Sequence, residues 1–303
     1  MPQIPKGVLD TTFYLYRTEQ DALTGRDMGG SGFLVIYDVS PWPTKKSHVY
    51  AVSNWHVAVK GGASVIRLNR RDGTTETFPF DPSDWTFAAD GDDIAAVRVP
   101  IDFTIHQAGA IDLSRFVLND QVRHGGHITT GEDVFMVGRF MDHDGGEINL
   151  PAVRFGNISL LPTSIALHEI GRPREYYCID MHSRTGFSGS PVFVYRTIGS
   201  DLTGDDIRRL MEGYEQSRVA RSPWDPRPYL GLLGIHCGQF PENLLIERLQ
   251  FESHRGPLKE YVIGLSGMTI VAPAWGILDV LEHQDLRNER ARIDASRSMS
   301  DFG

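Results

Sequence analysis

In 303 residues the sequence has only two cysteines, Cys178 and Cys237, too few for a disulfide framework. It has no run of lysine and arginine. Thirty basic against thirty-nine acidic residues leave a net charge of −9, which argues against a nucleic-acid partner. No stretch approaches the roughly 20 apolar residues of a membrane span, and residues 1–7 lack the apolar core of a secretory leader. These absences lead to the expectation of a cytoplasmic protein with neither nucleic acid nor membrane among its partners. Metal-ligand spacing is missing too. Arg123-His124-Gly125-Gly126-His127 offers two histidines without a third ligand. The acidic segment 142–147 lacks the alternation of a calcium loop. No metal and no organic cofactor is expected, and no internal repeat stands out.

What the chain does have is many short β-type runs. Hydrophobic content of 41% and charged content of 23% are ordinary for a globular protein, and 303 residues suffice for two small barrels. Residues 11–17, 32–37, 49–52, 64–69, 74–80 and 94–99 read as strands, the fourth and fifth joined by a turn at Arg71-Asp72-Gly73. Residues 100–130 are poorly periodic and read as a connection. Further strands follow at 133–138, 158–161, 176–179, 192–195, 230–235, 261–265 and 268–271. Ile207, Leu210, Met211 and Tyr214 fall on one face of a helix inside an insertion near 199–228. A second insertion, of mixed character, spans 241–259. Pro273 can open a C-terminal helix whose Ile277, Val280 and Leu281 would pack on the barrel. Residues 288–303, charged and serine-rich, read as a frayed tail. The expected division is 1–115, 116–287 and that tail.

The chain centres on residues 178–193, a strand, a polar turn and another strand. The turn Gly186-Phe187-Ser188-Gly189-Ser190-Pro191 puts a serine beside glycine, as an attacking hydroxyl requires for close approach of substrate. The same residues also make ordinary hairpin turns, so the motif alone is weak. Upstream, Ala51-Val52-Ser53-Asn54-Trp55-His56 is an apolar run ending on histidine, and Asp92-Asp93 opens the run 94–99. A serine hydroxyl needs a base, histidine can take and return its proton, and a carboxylate on the far ring nitrogen orients the imidazole. Asp92 and Asp93 are rivals for that last role.

These blocks carry a resemblance. Gly30-Ser31-Gly32-Phe33-Leu34-Val35, Ser53-Asn54-Trp55-His56-Val57, Asp93-Ile94-Ala95 and Gly186-Phe187-Ser188-Gly189-Ser190-Pro191 resemble the signature blocks of bacterial trypsin-like (chymotrypsin-fold) serine peptidases. Phe155-Gly156-Asn157-Ile158-Ser159 and Met268-Thr269-Ile270-Val271-Ala272-Pro273 are similar to further family strands. HtrA-type proteases and glutamyl endopeptidases are the most similar branches. The resemblance implies an all-β fold of two six-stranded antiparallel β-barrels with helical insertions and a C-terminal helix. It implies a serine endopeptidase acting on protein or peptide, with Ser188 as nucleophile, His56 as base and then acid, and Asp93 as orienter. The oxyanion hole would be formed by the N–H groups of Gly186 and Ser188.

Leu233-Gly234-Ile235-His236-Cys237-Gly238-Gln239 looks like the G-I-H-x-G strand of glutamyl endopeptidases. By that resemblance His236 and Ser183 would receive an acidic side chain, with Gln239 lining the same pocket, so cleavage after Glu is expected, then Gln or Asp. Another reading of His236 is a buried histidine satisfied by backbone. Both cysteines would fall on strands near the site; a bridge there is open, and two free thiols are the duller reading.

Phe187 replaces the small or acidic residue common before the family serine, so activation by a freed N-terminus is not expected. Packing, or a regulatory partner, would have to seat the oxyanion turn. Trp55 is also bulkier than usual. No PDZ-like region follows, so the HtrA oligomeric machinery is not inherited. The competing class is a catalytically silent module that kept the fold to hold a peptide.

Overall fold

A computed structural model describes residues 4–38, 47–87, 91–123, 128–140, 146–166, 173–183, 185–196, 229–248 and 258–300. The expected helix at 207–214, the histidines 124 and 127, and residues 142–145 of the acidic segment 142–147 lie outside the described residues.

The chain is mostly β. A short helix α1 (Lys6–Leu9) precedes β1 (Thr12–Tyr16), helix α2 (Glu19–Thr24) and β2 (Met28–Asp38). Then come β3 (Ser47–Ser53), β4 (Val65–Asn69), β5 (Thr75–Phe78), β6 (Ala95–Arg98) and the two-residue β7 (Ile111–Asp112). Six of these strands form one antiparallel sheet in the order β5-β4-β1-β2-β3-β6, and β7 pairs parallel to β2. One interior holds side chains from all six: Phe13 and Leu15, Leu34, Ala51, Ile66 and Leu68, Phe78, Ala95 and Val97. The sheet therefore wraps around its own core. β1 is buried on both faces, because Tyr14 and Tyr16 point the other way and stack on the guanidinium groups of Arg67 and Arg139.

After helix α3 (Asn119–Arg123), the second unit contains β8 (Asp133–Gly138), β9 (Ala152–Ala166), β10 (Pro173–Asp180), β11 (Pro191–Arg196), β12 (Tyr229–Arg248) and β13 (Leu258–Pro273). These close into an antiparallel barrel in the order β10-β13-β12-β11-β8-β9. Where an insertion at 241–259 is expected, residues 241–248 and 258–259 continue the β12–β13 hairpin, paired in register from Pro241↔Leu265 to Arg248↔Leu258.

A shared apolar cluster joins the two units. Phe33, Val35, Tyr50, Val52 and Ile94 of the first pack with Phe135, Val137, Tyr176, Phe193, Leu232 and Ile235 of the second. Helix α4 (Ala274–Leu281) seals this seam with Ile277, Val280 and Leu281, the three residues expected to face inward.

The frayed tail expected from Asn288 is absent through Ser300, where the structure has helix α5 (Gln284–Ser300). The helix docks through residues four apart. Leu286 is buried in the seam cluster. Arg290 is 5% exposed, lies 4.1 Å over the Tyr37 ring, and donates to the Tyr50 hydroxyl (3.1 Å) and the Leu281 carbonyl (2.7 Å). Asp294 meets buried His48 at 3.2 Å. Its docking face is polar and is completed by aromatic rings from β2 and β3, so no apolar stripe announces it in the sequence. Replacing Arg290 by Ala should lower stability by about 2 kcal/mol, read from the urea midpoint. An unchanged midpoint would mean that α5 does not hold the seam.

Candidate active site

β3 delivers its last residues to the seam, where the chain turns sharply. The Asn54 carbonyl accepts from Val57 and Ala58, and the Gly61 N–H reaches the His56 carbonyl at 2.9 Å, a wide i→i+5 turn. Such widened turns recur at functional sites because they re-aim one side chain. Asp93, 7% exposed, sits at the mouth of β6 and holds His56 twice. Its Oδ1 accepts from the His56 backbone N–H at 2.8 Å, and its Oδ2 lies 2.5 Å from His56 Nδ1. With Nδ1 facing a carboxylate, the ring is anchored and Nε2 is left as the atom able to take a proton.

It is Asp93, not Asp92, whose carboxylate reaches His56. Asp92 is turned toward α4, with an oxygen 2.7 Å from where a Cβ on Gly276 would sit. Burial pushes its carboxyl up to about 6; Arg174 opposes this, and the charges of Asp279 and Asp93 add to it.

Two neighbours of Asp93 have contacts with it that the sequence did not spell out. Buried Asn54 donates to the Asp93 backbone carbonyl at 2.8 Å and approaches the Cys237 sulfur at 3.6 Å. Burial, and then the Asp93 charge, push the Cys237 thiol well above its ordinary value. Cys178 and Cys237 are both free thiols.

Ser188 arrives from the second unit. Gly186 (φ +100°) and Gly189 (φ +87°) take left-handed conformations that favour glycine. A Cβ on Gly189 would fall 2.0 Å from the Ser31 carbonyl oxygen. Phe187 is fully buried in the second unit's interior, with the Arg154 guanidinium 5.7 Å over its ring. Packing therefore seats this turn, the role sequence reasoning left open between packing and a partner. Ser190 is fully buried, whereas Ser188 is partly exposed.

The turns bearing His56 and Ser188 both abut Gly30, where a Cβ would lie 2.7 Å from Val57 Cγ1 and 3.0 Å from the Ser188 carbonyl oxygen. The N–H groups of Gly186 and Ser188 donate no backbone hydrogen bond among the described residues. Nor, among the described residues, does one join His56 Nε2 to the Ser188 hydroxyl.

His236 lies on β12 beside this turn. Its backbone N–H donates to the Ser190 carbonyl (2.9 Å), and its carbonyl accepts from Gly189 (3.0 Å). The side chain is buried, and among the described residues neither ring nitrogen completes a well-directed hydrogen bond. Burial pushes its pKa down to about 4, with His56 adding to the effect and the Phe187 carbonyl partly opposing it. The ring is therefore neutral near pH 7. Gln239 donates to the Met181 carbonyl at 3.3 Å, and among the described residues its buried Oε1 has no partner. Ser183, two residues beyond Met181, is 5% exposed.

A closed antiparallel barrel, and a second sheet wrapped on its own core, meet at a seam carrying histidine, aspartate and serine in that chain order. This is the two-barrel, trypsin-like class of fold. Among solved structures the chain is similar to protease domains of the HtrA kind. One is the MamO protease domain from Magnetospirillum magneticum, at 13% identity and TM-score 0.49, covering 90% of this chain and 97% of that one. Another is a variant of the HtrA-type protease AlgW with a tripeptide, at 16% identity and TM-score 0.47, covering 91% of this chain and 61% of that one. No family model and no curated protein matches the sequence. At this level of similarity the chemistry has to be read from the chain's own residues.

The two perturbed groups pull stability in opposite directions with pH. His236 has a folded value below its unfolded one, so its contribution is complete above about 6.5 and is lost as pH falls toward 4. Asp92 has a folded value above its unfolded one, so its contribution is complete below about 3.8 and is lost as pH rises through 6. Urea midpoints measured from pH 7 to pH 4 should therefore fall less in His236→Gln than in wild type, by up to about 3 kcal/mol. They should fall more steeply in Asp92→Asn. Parallel curves for all three proteins would contradict both environments.

Proposed function

We propose that the protein is a serine endopeptidase using Ser188, His56 and Asp93. The observation that carries this reading is the two-point grip of Asp93 on His56, set across the seam from a partly exposed serine in a glycine-flanked turn. In the proposed reaction His56 Nε2 takes the Ser188 proton as Oγ attacks the scissile carbonyl carbon. The resulting oxyanion is received by the N–H groups of Gly186 and Ser188. His56 returns the proton to the leaving amine as the C–N bond breaks, leaving an acyl-enzyme. Water, deprotonated by His56, then attacks the ester carbonyl, and Ser188 leaves with the proton. Asp93 keeps Nδ1 protonated and stabilises the imidazolium throughout. None of these steps calls on a cofactor.

Cleavage after Glu, then Gln or Asp, belongs to the same proposal. His236 on β12 and Ser183 before the nucleophile turn can donate to a carboxylate or to an amide oxygen. The neutral state of His236 bears on the order. A carboxylate entering beside an uncharged imidazole gains less than beside a cation, which raises glutamine relative to glutamate.

A second reading, a silent peptide-binding module, has one observation in its favour: the missing hydrogen bond between His56 and Ser188. Apo sites often tighten only around substrate, so this does not outweigh the Asp93–His56 geometry.

A fluorophosphonate probe should label the folded chain at Ser188, and Ser188→Ala should abolish labelling. Folded protein that never labels, with or without added peptide, favours the silent module. Removing Ser188 should cost on the order of 10⁴–10⁶ in kcat and Asp93→Asn about 10⁴, while Asp92→Asn stays within a few-fold of wild type. If Asp92→Asn proved the worse of the two, the orienter would be misassigned. Cleavage-site profiling on a denatured proteome tests the pocket: cuts mainly after aromatic, aliphatic or basic residues would refute it, as would a preference that survives His236→Ala.

A further inference from the structure

Ser31 is a buried residue of β2, remote in sequence from every group in the proposed reaction, yet all of its polar atoms are engaged at the nucleophile turn or its supports. Its hydroxyl donates to the Gly186 carbonyl at 2.7 Å and accepts from the Arg139 N–H at 3.0 Å. Its N–H donates to the Ser188 carbonyl at 2.8 Å. Its carbonyl accepts from the Ser53 hydroxyl at 2.8 Å, and Ser53 stands three residues before His56. One residue, through its backbone and its hydroxyl together, thus joins the His56 strand, the Ser188 turn and the segment following β8.

The pattern at the turn is specific. The Phe187 carbonyl accepts from the Ser190 N–H at 2.9 Å, so the carbonyls of residues 186, 187 and 188 are all occupied, two of them by Ser31. In a planar trans peptide the N–H points opposite to the carbonyl of the preceding residue. Holding the Phe187 carbonyl therefore aims the Ser188 N–H the other way. Holding the Gly186 carbonyl removes the rotation that glycine at φ +100° would otherwise permit. Among the described residues Gly186 and Ser188 keep N–H groups with no backbone acceptor, while the carbonyls of residues 186, 187 and 188 are each held by another donor and do not turn toward them.

We propose that Ser31 is a positioning residue for the oxyanion site: its hydroxyl and N–H clamp the carbonyls of Gly186 and Ser188 so that the amide donors of the turn are aimed before substrate arrives. The role rests on the serine-peptidase reading. It makes the donor geometry a property of the contact between the two units rather than of the turn alone. Ser31→Ala keeps the N–H bond and deletes the hydroxyl bridge, leaving the Gly186 carbonyl and the Arg139 N–H without it.

The test compares full-length wild type and Ser31→Ala in fluorophosphonate labelling from pH 5 to 9, with folded fraction followed by circular dichroism. In labelling, Ser188 Oγ bonds to phosphorus, fluoride leaves and the serine proton passes to His56, while the phosphoryl oxygen needs the same donors as an oxyanion. The plateau rate should fall about 10- to 100-fold, as expected for misaligned donors. The pH midpoint of labelling should stay in place. Ser31→Cys, with a weak S–H donor at the same position, should be intermediate; if the alanine variant is unfolded, the cysteine variant against wild type carries the comparison. A folded variant with an unchanged plateau rate overturns the proposal. A fall matched by the loss of folded protein, or a displaced pH midpoint, also overturns it, since either assigns Ser31 a merely structural role. Wild type that never labels fails the peptidase reading itself, whereas labelled wild type with an equally fast Ser31→Ala fails only Ser31.

Discussion

Everything at the site depends on the apolar contact between the two β units. Neither unit holds the chemistry alone: the imidazole and carboxylate come from the first, the serine turn and His236 from the second. Phe33, Val35, Tyr50 and Val52 packed on Phe135, Tyr176, Phe193 and Ile235 fix how the halves face each other. Close-packed apolar side chains transmit strain rather than absorb it, so this contact governs distances at the seam. It also excludes water from one side of Asp93, which strengthens the carboxylate–imidazole bond and raises the penalty for leaving either partner unpaired.

Glycine allows the halves to come this close. At Gly189 the backbone runs against β2 so tightly that any side chain would strike the Ser31 carbonyl, and Gly138 leaves room in the same way for Ser190 and Phe187. Phe187 extends the principle from contact to anchoring. Where an acidic residue could hold the turn through an ion pair, a ring buried among Val134, Met136, Ile158 and Val192 holds it by exclusion from water. An anchor of that kind has no titrating group and needs no freed terminus.

The helix α5 shows how far the seam reaches. It lies on the outer side of β2 and β3, the strands that carry Ser31 and lead into His56, and its Arg290 bridges the Tyr50 hydroxyl and the end of α4. The C-terminal helices thus brace the first unit from outside while α4 fills the seam from within.

Much of this was legible in the sequence. Period-two runs located the strands because a half-buried sheet leaves that mark locally, and the order of His56, Asp93 and Ser188 pointed to the chemistry because each lies at the end of such a run or in a glycine-flanked turn. The face of α4 was readable for the same reason, since Ile277, Val280 and Leu281 repeat at helical spacing. Contacts made by polar residues distant along the chain left no such mark. Arg290 reads as one more charge in a serine-rich tail until the fold sets it on Tyr37 and Tyr50, 240 residues from the second. Residue type alone left Asp92 and Asp93 as rivals; the resemblance selected Asp93, and it is the Asp93 carboxylate that the fold sets against the ring. The uncharged state of His236 is a consequence of burial, and the hydroxyl of Ser31 meets Gly186 across 155 residues. The sequence by itself determined which segments become strands and which chemical groups are available, because periodicity and residue type are local. Only the tertiary structure decided which groups face each other and which lose their water, because desolvation and hydrogen-bond partnership exist only once distant segments have packed together.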